Sequence, residues 1–168
     1  PYIEFCSRSM DGVHGRIGGK IVLCNDSEIK ERVLEERPML KNIYGEEQLA
    51  LDRVTDDILR NKLHHSGFVS HYASEELEDI VAIGTGKEKY IVTADPLDGS
   101  SLVDTNLSIG TIIGIHQKSI FDCGRNSMVA ALYITYGPLI TMIYSAGKGA
   151  HEFVLDREGE YVLSEEKI

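Results

Sequence analysis

The sequence predicts an α/β fold in which helix layers against sheet. Three observations carry that expectation. Residues 46–63 set Leu51, Val54, Ile58 and Leu59 on one helical stripe. Short apolar runs bounded by glycine, proline or serine follow at 68–72, 90–93, 107–116 and 139–144, and these read as strands. Acidic residues stand where two of the runs end: Glu75 and Glu76 after the first, Asp95 and Asp98 after the second.

With 168 residues, 42% of them hydrophobic, there is room for one domain with a sizeable core. Lys and Arg number 17 against 27 Asp and Glu, a formal charge of −10. That balance argues against a nucleic-acid or anionic-membrane partner. It also repels a phosphate substrate unless a cation intervenes. The cysteines, Cys6, Cys24 and Cys123, have no metal-ligand spacing, and their odd number gives no disulfide framework. Reduced thiols in a cytoplasmic protein are the simpler reading. No signal peptide and no 18-residue apolar run is evident. A start at Pro1 rather than methionine suggests a fragment or processed product.

Taken in order, residues 1–41 form a divergent N-terminal segment, followed by a domain over 42–168. Gly12, Gly15, Gly18 and Gly19 read as loop, with His14 and Arg16 exposed on it. Ile21-Val22-Leu23 reads as a short strand. Asp26-Ser27-Glu28 can start a helix that Pro38 ends. Asp52 lies beside the inward stripe of the 46–63 helix, which Gly67 terminates. His64, His65 and His71 make no zinc set. Gly84-Thr85-Gly86-Lys87 lacks the spacing of a phosphate-binding P-loop and reads as a turn. Gly124-Arg125-Asn126 breaks the chain. Residues 128–136 have helix-like apolar content closed by Gly137-Pro138. Two strands joined at Arg157-Glu158-Gly159 suggest a terminal hairpin.

The most informative stretch is Asp95-Pro96-Leu97-Asp98-Gly99-Ser100-Ser101. It places two carboxylates three residues apart at a strand end. Pro96 stiffens the link between them, and Gly99 permits a tight turn. Ser100 and Ser101 add hydroxyls and backbone N–H groups. Hard oxygen donors beside phosphate-sized hydrogen-bond donors suggest magnesium and a phosphate ester. As a bare pattern, Asp52 is equally a surface helix acid and Glu75-Glu76 a solvated acidic loop.

The same stretch resembles the signature of the class I fructose-1,6-bisphosphatases and their sedoheptulose-bisphosphatase relatives. The likeness extends through Val103-Asp104-Thr105-Asn106, Ser108-Ile109-Gly110-Thr111, Gly45-Glu46-Glu47-Gln48, Leu51-Asp52 and Ser74-Glu75-Glu76. The resemblance implies the N-terminal, metal-binding half of a layered sugar-phosphatase fold. It implies Mg2+, with Mn2+ as a substitute, held by Glu75, Asp95, Asp98 and the Leu97 carbonyl. Asp52 and Glu76 would orient and deprotonate an attacking water, and Gly99, Ser100 and Ser101 would hold phosphate. Lys89 and Tyr90 match positions that contact a nucleotide phosphate in relatives inhibited by AMP, and equally read as an exposed strand start.

The implied activity is hydrolysis of the 1-phosphate of fructose 1,6-bisphosphate by a homo-oligomeric enzyme of the cytoplasm, or of a plastid in a photosynthetic source. Asp104-Thr105-Asn106 and His151-Glu152-Phe153 lean towards sedoheptulose 1,7-bisphosphate. A non-catalytic regulatory or assembly domain is the competing class, because family enzymes are about twice as long.

Overall fold

In the computed structural model, the described residues are 50–87, 89–117, 119–120 and 127–168, together with the backbone of 16–17, 40–41 and 47–48. The strand expected at 21–23, the helix expected after Asp26, the break at 124–126 and all three cysteines lie outside them.

Among the described residues, a mixed sheet of nine strands is the main element. The strands are β1 (Arg16–Ile17), β4 (Val69–Ser74), β5 (Val81–Ala82), β6 (Tyr90–Asp98), β7 (Ile109–His116), β8 (Met128–Tyr136), β9 (Thr141–Ser145), β10 (Ala150–Leu155) and β11 (Tyr161–Glu166). Their spatial order is β1-β11-β10-β9-β8-β7-β6-β4-β5. Separately, β2 (Leu40–Lys41) and β3 (Glu47–Gln48) form a short ladder. From β6 to β11 the chain is an antiparallel meander. The exception is β4 beside β6, which is parallel. The helix α1 (Ala50–Ser66) packs across these two parallel strands, so the fold is α/β as expected.

Leu63 of α1 meets Tyr72, Val92, Ile113, Ile115 and Ala130 in one core cluster, with Leu59 packed against it. Tyr72 is fully buried, and Val92 is 1% exposed. A second cluster joins Ile134, Met142, Phe153 and Tyr161 along the meander. The buried stripe of α1 differs from the expected one in an instructive way. Asp52 and Asp56, one turn apart, are each only 4% exposed. The Tyr72 hydroxyl donates to Asp56 Oδ1 at 2.8 Å. Burial first, then the Asp56 carboxylate, push the Tyr72 phenol far above its ordinary range, so it stays a neutral donor at any working pH. The pair ties helix to strand through a satisfied buried carboxylate.

Three expectations are corrected. Residues 128–136 form strand β8, not a helix. A nine-residue apolar run has no decisive period, and its Val, Ile, Thr and Tyr content favours a ladder on both sides; Gly137-Pro138 is then a hairpin turn rather than a helix stop. The helix starts at Ala50 rather than Glu46, because Glu47–Gln48 pair with Leu40–Lys41. Arg16 was read as loop, yet Arg16–Ile17 pair with Tyr161 and Val162 of β11.

Gly110 of β7 is required by close approach. A Cβ there would lie 2.6 Å from the Ile134 carbonyl oxygen and 2.8 Å from the Tyr133 ring and hydroxyl. The backbone carbonyl cannot yield as a flexible side chain can. Gly110→Ala is therefore expected to cost about 1–3 kcal/mol, measured as a shifted urea midpoint at unchanged slope. A midpoint equal to that of the unaltered chain would show that β7 and β8 are less closely apposed than described.

Candidate active site

The site is built at the C-terminal ends of the two parallel strands. The strand β6 does not stop at Thr93 but continues through Asp98 with an irregular register. Asp95 pairs with Ile112, and Asp98 pairs with Gly110. Pro96 and Leu97 thus oppose the single residue Thr111, which is a β-bulge. In a regular strand, residues three apart point to opposite faces. Ile112 and Gly110, two apart, share a face, and so do residues directly opposite them. The bulge therefore brings Asp95 and Asp98 to the same face. Leu97 N–H donates to Asp95 Oδ1 at 3.1 Å, closing a local turn inside the bulge.

Glu75 and Glu76 follow β4 directly. The Ser74 hydroxyl accepts from the Glu76 N–H at 3.2 Å, and the Ser74 carbonyl accepts from Leu77 N–H at 3.1 Å, so a tight turn fixes both acids. Ser74 pairs with Ala94 in the parallel ladder, which sets Glu75 beside Asp95. Asp52, in the first turn of α1, completes the acidic group from the helix side.

The electrostatics tie these residues together. Partial burial, the hydrogen bond with Asp95, and the negative charges of Asp95, Glu76 and Asp52 push the Glu75 carboxyl up to about 7. Glu75 is exposed at the residue level, so solvent weakens the burial contribution and the neighbouring carboxylates carry much of the effect. The Asp95 carboxyl is also raised, chiefly by burial, with Asp98 and Asp52 adding to it; the hydrogen bonds from Glu75 and Leu97 oppose the rise. Burial and the neighbouring carboxylates thus act in the same direction on both groups, so this face favours uptake of a proton or a cation.

Among the described residues, no group of three His, Cys, Asp or Glu side chains is arranged to hold a metal ion. In kind, the donors fit a hard divalent cation: they are carboxylate oxygens converging on one face, with a negative field strong enough to retain a proton near neutrality. In position, the described residues do not gather three of these side chains around one point.

Gly99 ends the stretch in the left-handed region at φ 78° and leads into a 3-10 turn over Ser100–Thr105. Ser100 is half-buried and Ser101 exposed, so both hydroxyls stand near the surface beside Asp98. Lys89 and Tyr90 are not brought to this group. They stand at the other end of β6, roughly 25 Å from Asp98 for an extended strand, with Lys89 exposed and the Tyr90 ring packed against the first core cluster.

Two groups escaped the sequence reading. The Tyr133 hydroxyl lies 3.4 Å from Asp98 Oδ2, as donor. Thr111 donates to the Pro96 carbonyl at 2.8 Å. Tyr133 was hidden by the helical reading of its segment; alternation along a strand would have placed it opposite Ile112 and facing the aspartates. A cleft of about 670 Å3 opens on this face, bordered by Glu75, Asp95, Ile112, Tyr133 and Ile143.

Residues 35–166 match the family described as fructose-1-6-bisphosphatase, N-terminal domain. A class 1 fructose-1,6-bisphosphatase of Pelobacter propionicus is 52% identical over 129 residues, which are 76% of this chain and 40% of that protein. One from Geobacter sulfurreducens is 51% identical over 129 residues, covering 76% and 41%. The chain thus spans about two fifths of the length of the curated relatives it matches. A crystal structure of Leishmania major fructose-1,6-bisphosphatase in holo form superposes with a TM-score of 0.72 at 27% identity, over 84% of this chain and 48% of that one.

The raised Glu75 carboxyl generates a test on the metal-free chain. Glu75 holds its proton more tightly folded than unfolded, so the folded state is favoured below the unfolded value and loses that advantage as pH rises from about 4.5 to about 7. In EDTA, the urea midpoint is expected to fall across this window, and Glu75→Gln to flatten the fall. An unchanged slope in Glu75→Gln would remove Glu75 as the group responsible.

Proposed function

The chain belongs to the fructose-1,6-bisphosphatase family, as an N-terminal domain of it, and on that premise we propose that its acidic face serves magnesium-dependent hydrolysis of the 1-phosphate of fructose 1,6-bisphosphate. The observation that carries this reading is the bulge, which turns Asp95 and Asp98 to one face beside Glu75. Such a set of acids is costly to assemble without a cation. It has no evident use to a purely structural domain.

Glu75, Asp95 and Asp98 are the side chains that would hold Mg2+, or Mn2+ in its place, with the Leu97 carbonyl as a further oxygen. When bound, the ion supplies neutralisation of phosphoryl oxygens and a more acidic attacking water. Asp52 and Glu76 both bear on Glu75 electrostatically, and in this reading they accept the proton of that water and hold it in line with the phosphorus. Asp52 is buried in the first turn of α1, on the side that faces Glu75. Ser100, Ser101 and the backbone N–H groups after Gly99 steady the equatorial phosphoryl oxygens. The sugar bisphosphate lies along the cleft beside Tyr133. Lys89 and Tyr90 are assigned to a separate nucleotide contact, since they stand at the far end of β6. A homo-oligomeric assembly belongs to the same reading.

The second enzymatic reading, sedoheptulose 1,7-bisphosphate as substrate, keeps the same residues and changes only the sugar. Phosphate release is to be measured side by side with both sugar bisphosphates and inositol 1-phosphate, with and without magnesium. Magnesium-dependent release, fastest with fructose 1,6-bisphosphate and lowered at least about 100-fold by Asp98→Ala, is expected. Faster release from the seven-carbon sugar would transfer the assignment to it. Release from none of the three would favour the non-catalytic class.

A further inference from the structure

We propose that Thr111, oriented by Tyr136, is a positioning residue that locks the Asp95–Asp98 bulge in its cation-binding shape; the inference rests on the reading of these acids as a divalent-cation site. The bulge interrupts the β6–β7 ladder, so the Pro96 carbonyl needs a partner that regular pairing does not supply. Pro96 is buried, and Thr111 is 7% exposed. The Thr111 hydroxyl lies 2.8 Å from the Pro96 carbonyl oxygen, and a carbonyl only accepts, so the hydroxyl hydrogen is committed there. The Tyr136 hydroxyl is 2.9 Å from the same Thr111 oxygen. With Thr111 already donating, Tyr136 must donate to it.

The result is a one-way chain, Tyr136 to Thr111 to Pro96, in which each bond polarises the next. Tyr136 sits opposite Ile109, and Thr111 opposite Ile134, so the two side chains are diagonal neighbours on one face of the β7–β8 pair. That face is the opposite of the one shared by Ile112, Asp95 and Asp98. The bulge is thus gripped from behind by the relay, while Leu97 N–H ties its front to the Asp95 carboxylate. None of the three relay groups contacts the cation position, and all of them fix the backbone that presents it.

Thr111→Val preserves the volume but leaves the Pro96 carbonyl buried without a donor, whereas Thr111→Ser keeps the donor. Tyr136→Phe removes only the orienting bond. The readouts are Mn2+ affinity, by electron paramagnetic resonance on the 168-residue chain, and the hydrogen-exchange rate of the Leu97 amide. Thr111→Val is expected to weaken Mn2+ binding by about 10–100-fold and to speed Leu97 exchange, with Thr111→Ser close to the unaltered chain in both. Tyr136→Phe should shift both in the same direction by less, and it decides the matter with Thr111→Ser if Thr111→Val does not fold. Unaltered Mn2+ affinity and Leu97 exchange in Thr111→Val, or equal loss in Thr111→Ser, would overturn the inference while leaving the cation site standing. Absence of Mn2+ binding by the unaltered chain would overturn the cation reading and this inference with it.

Discussion

The arrangement depends on a single extra residue in one ladder. Asp95 and Asp98 are an odd number of positions apart, and an unbroken strand would send them to opposite faces of the sheet. The two-against-one pairing of Pro96-Leu97 with Thr111 cancels that alternation. Proline fits such a position because its nitrogen has no hydrogen for a ladder to miss. Gly110 leaves the facing strand thin enough for Tyr133 to lie over it and reach Asp98. Asp95, Pro96, Leu97, Asp98, Gly110 and Thr111 thus form one mechanical unit, and the cluster of negative charge follows from its geometry.

The other half of the acidic group is fixed by packing rather than by turn chemistry. α1 carries Asp52 and Asp56 on the side it buries, one turn apart. Tyr72, on the strand that delivers Glu75, holds Asp56 by a buried hydrogen bond. That bond joins the helix that carries Asp52 to the strand that leads to Glu75. Burial of paired acids is tolerated where each finds a donor. Asp56 has the Tyr72 hydroxyl, and Asp95 has the Leu97 N–H.

Much of this was legible in the sequence, for reasons that can be named. The helix showed itself through apolar spacing, and the strands through short runs bounded by turn residues. The seven-residue stretch from Asp95 announced its chemistry by the rarity of two aspartates, proline and glycine in such close order. The bulge was not legible, because a bulge is a property of two strands and only one was being read. Residues 128–136 misled for a related reason: Leu132, Ile134 and Ala130 satisfy a helical or a strand environment equally until the neighbours β7 and β9 are known. Tyr133 and Thr111 became visible only with that pairing.

The central claim is that Glu75, Asp95 and Asp98 form one site that a divalent cation completes. Paramagnetic broadening by Mn2+ at substoichiometric amounts, read residue by residue in the nuclear magnetic resonance spectrum, tests it most directly. The account predicts that the amides of Glu75, Asp95, Leu97 and Asp98 broaden first and together, ahead of the acidic residues Glu158, Glu165 and Glu166 at the far side of the meander. Broadening that begins at those outer acids, or spreads evenly over all acidic positions, would contradict it.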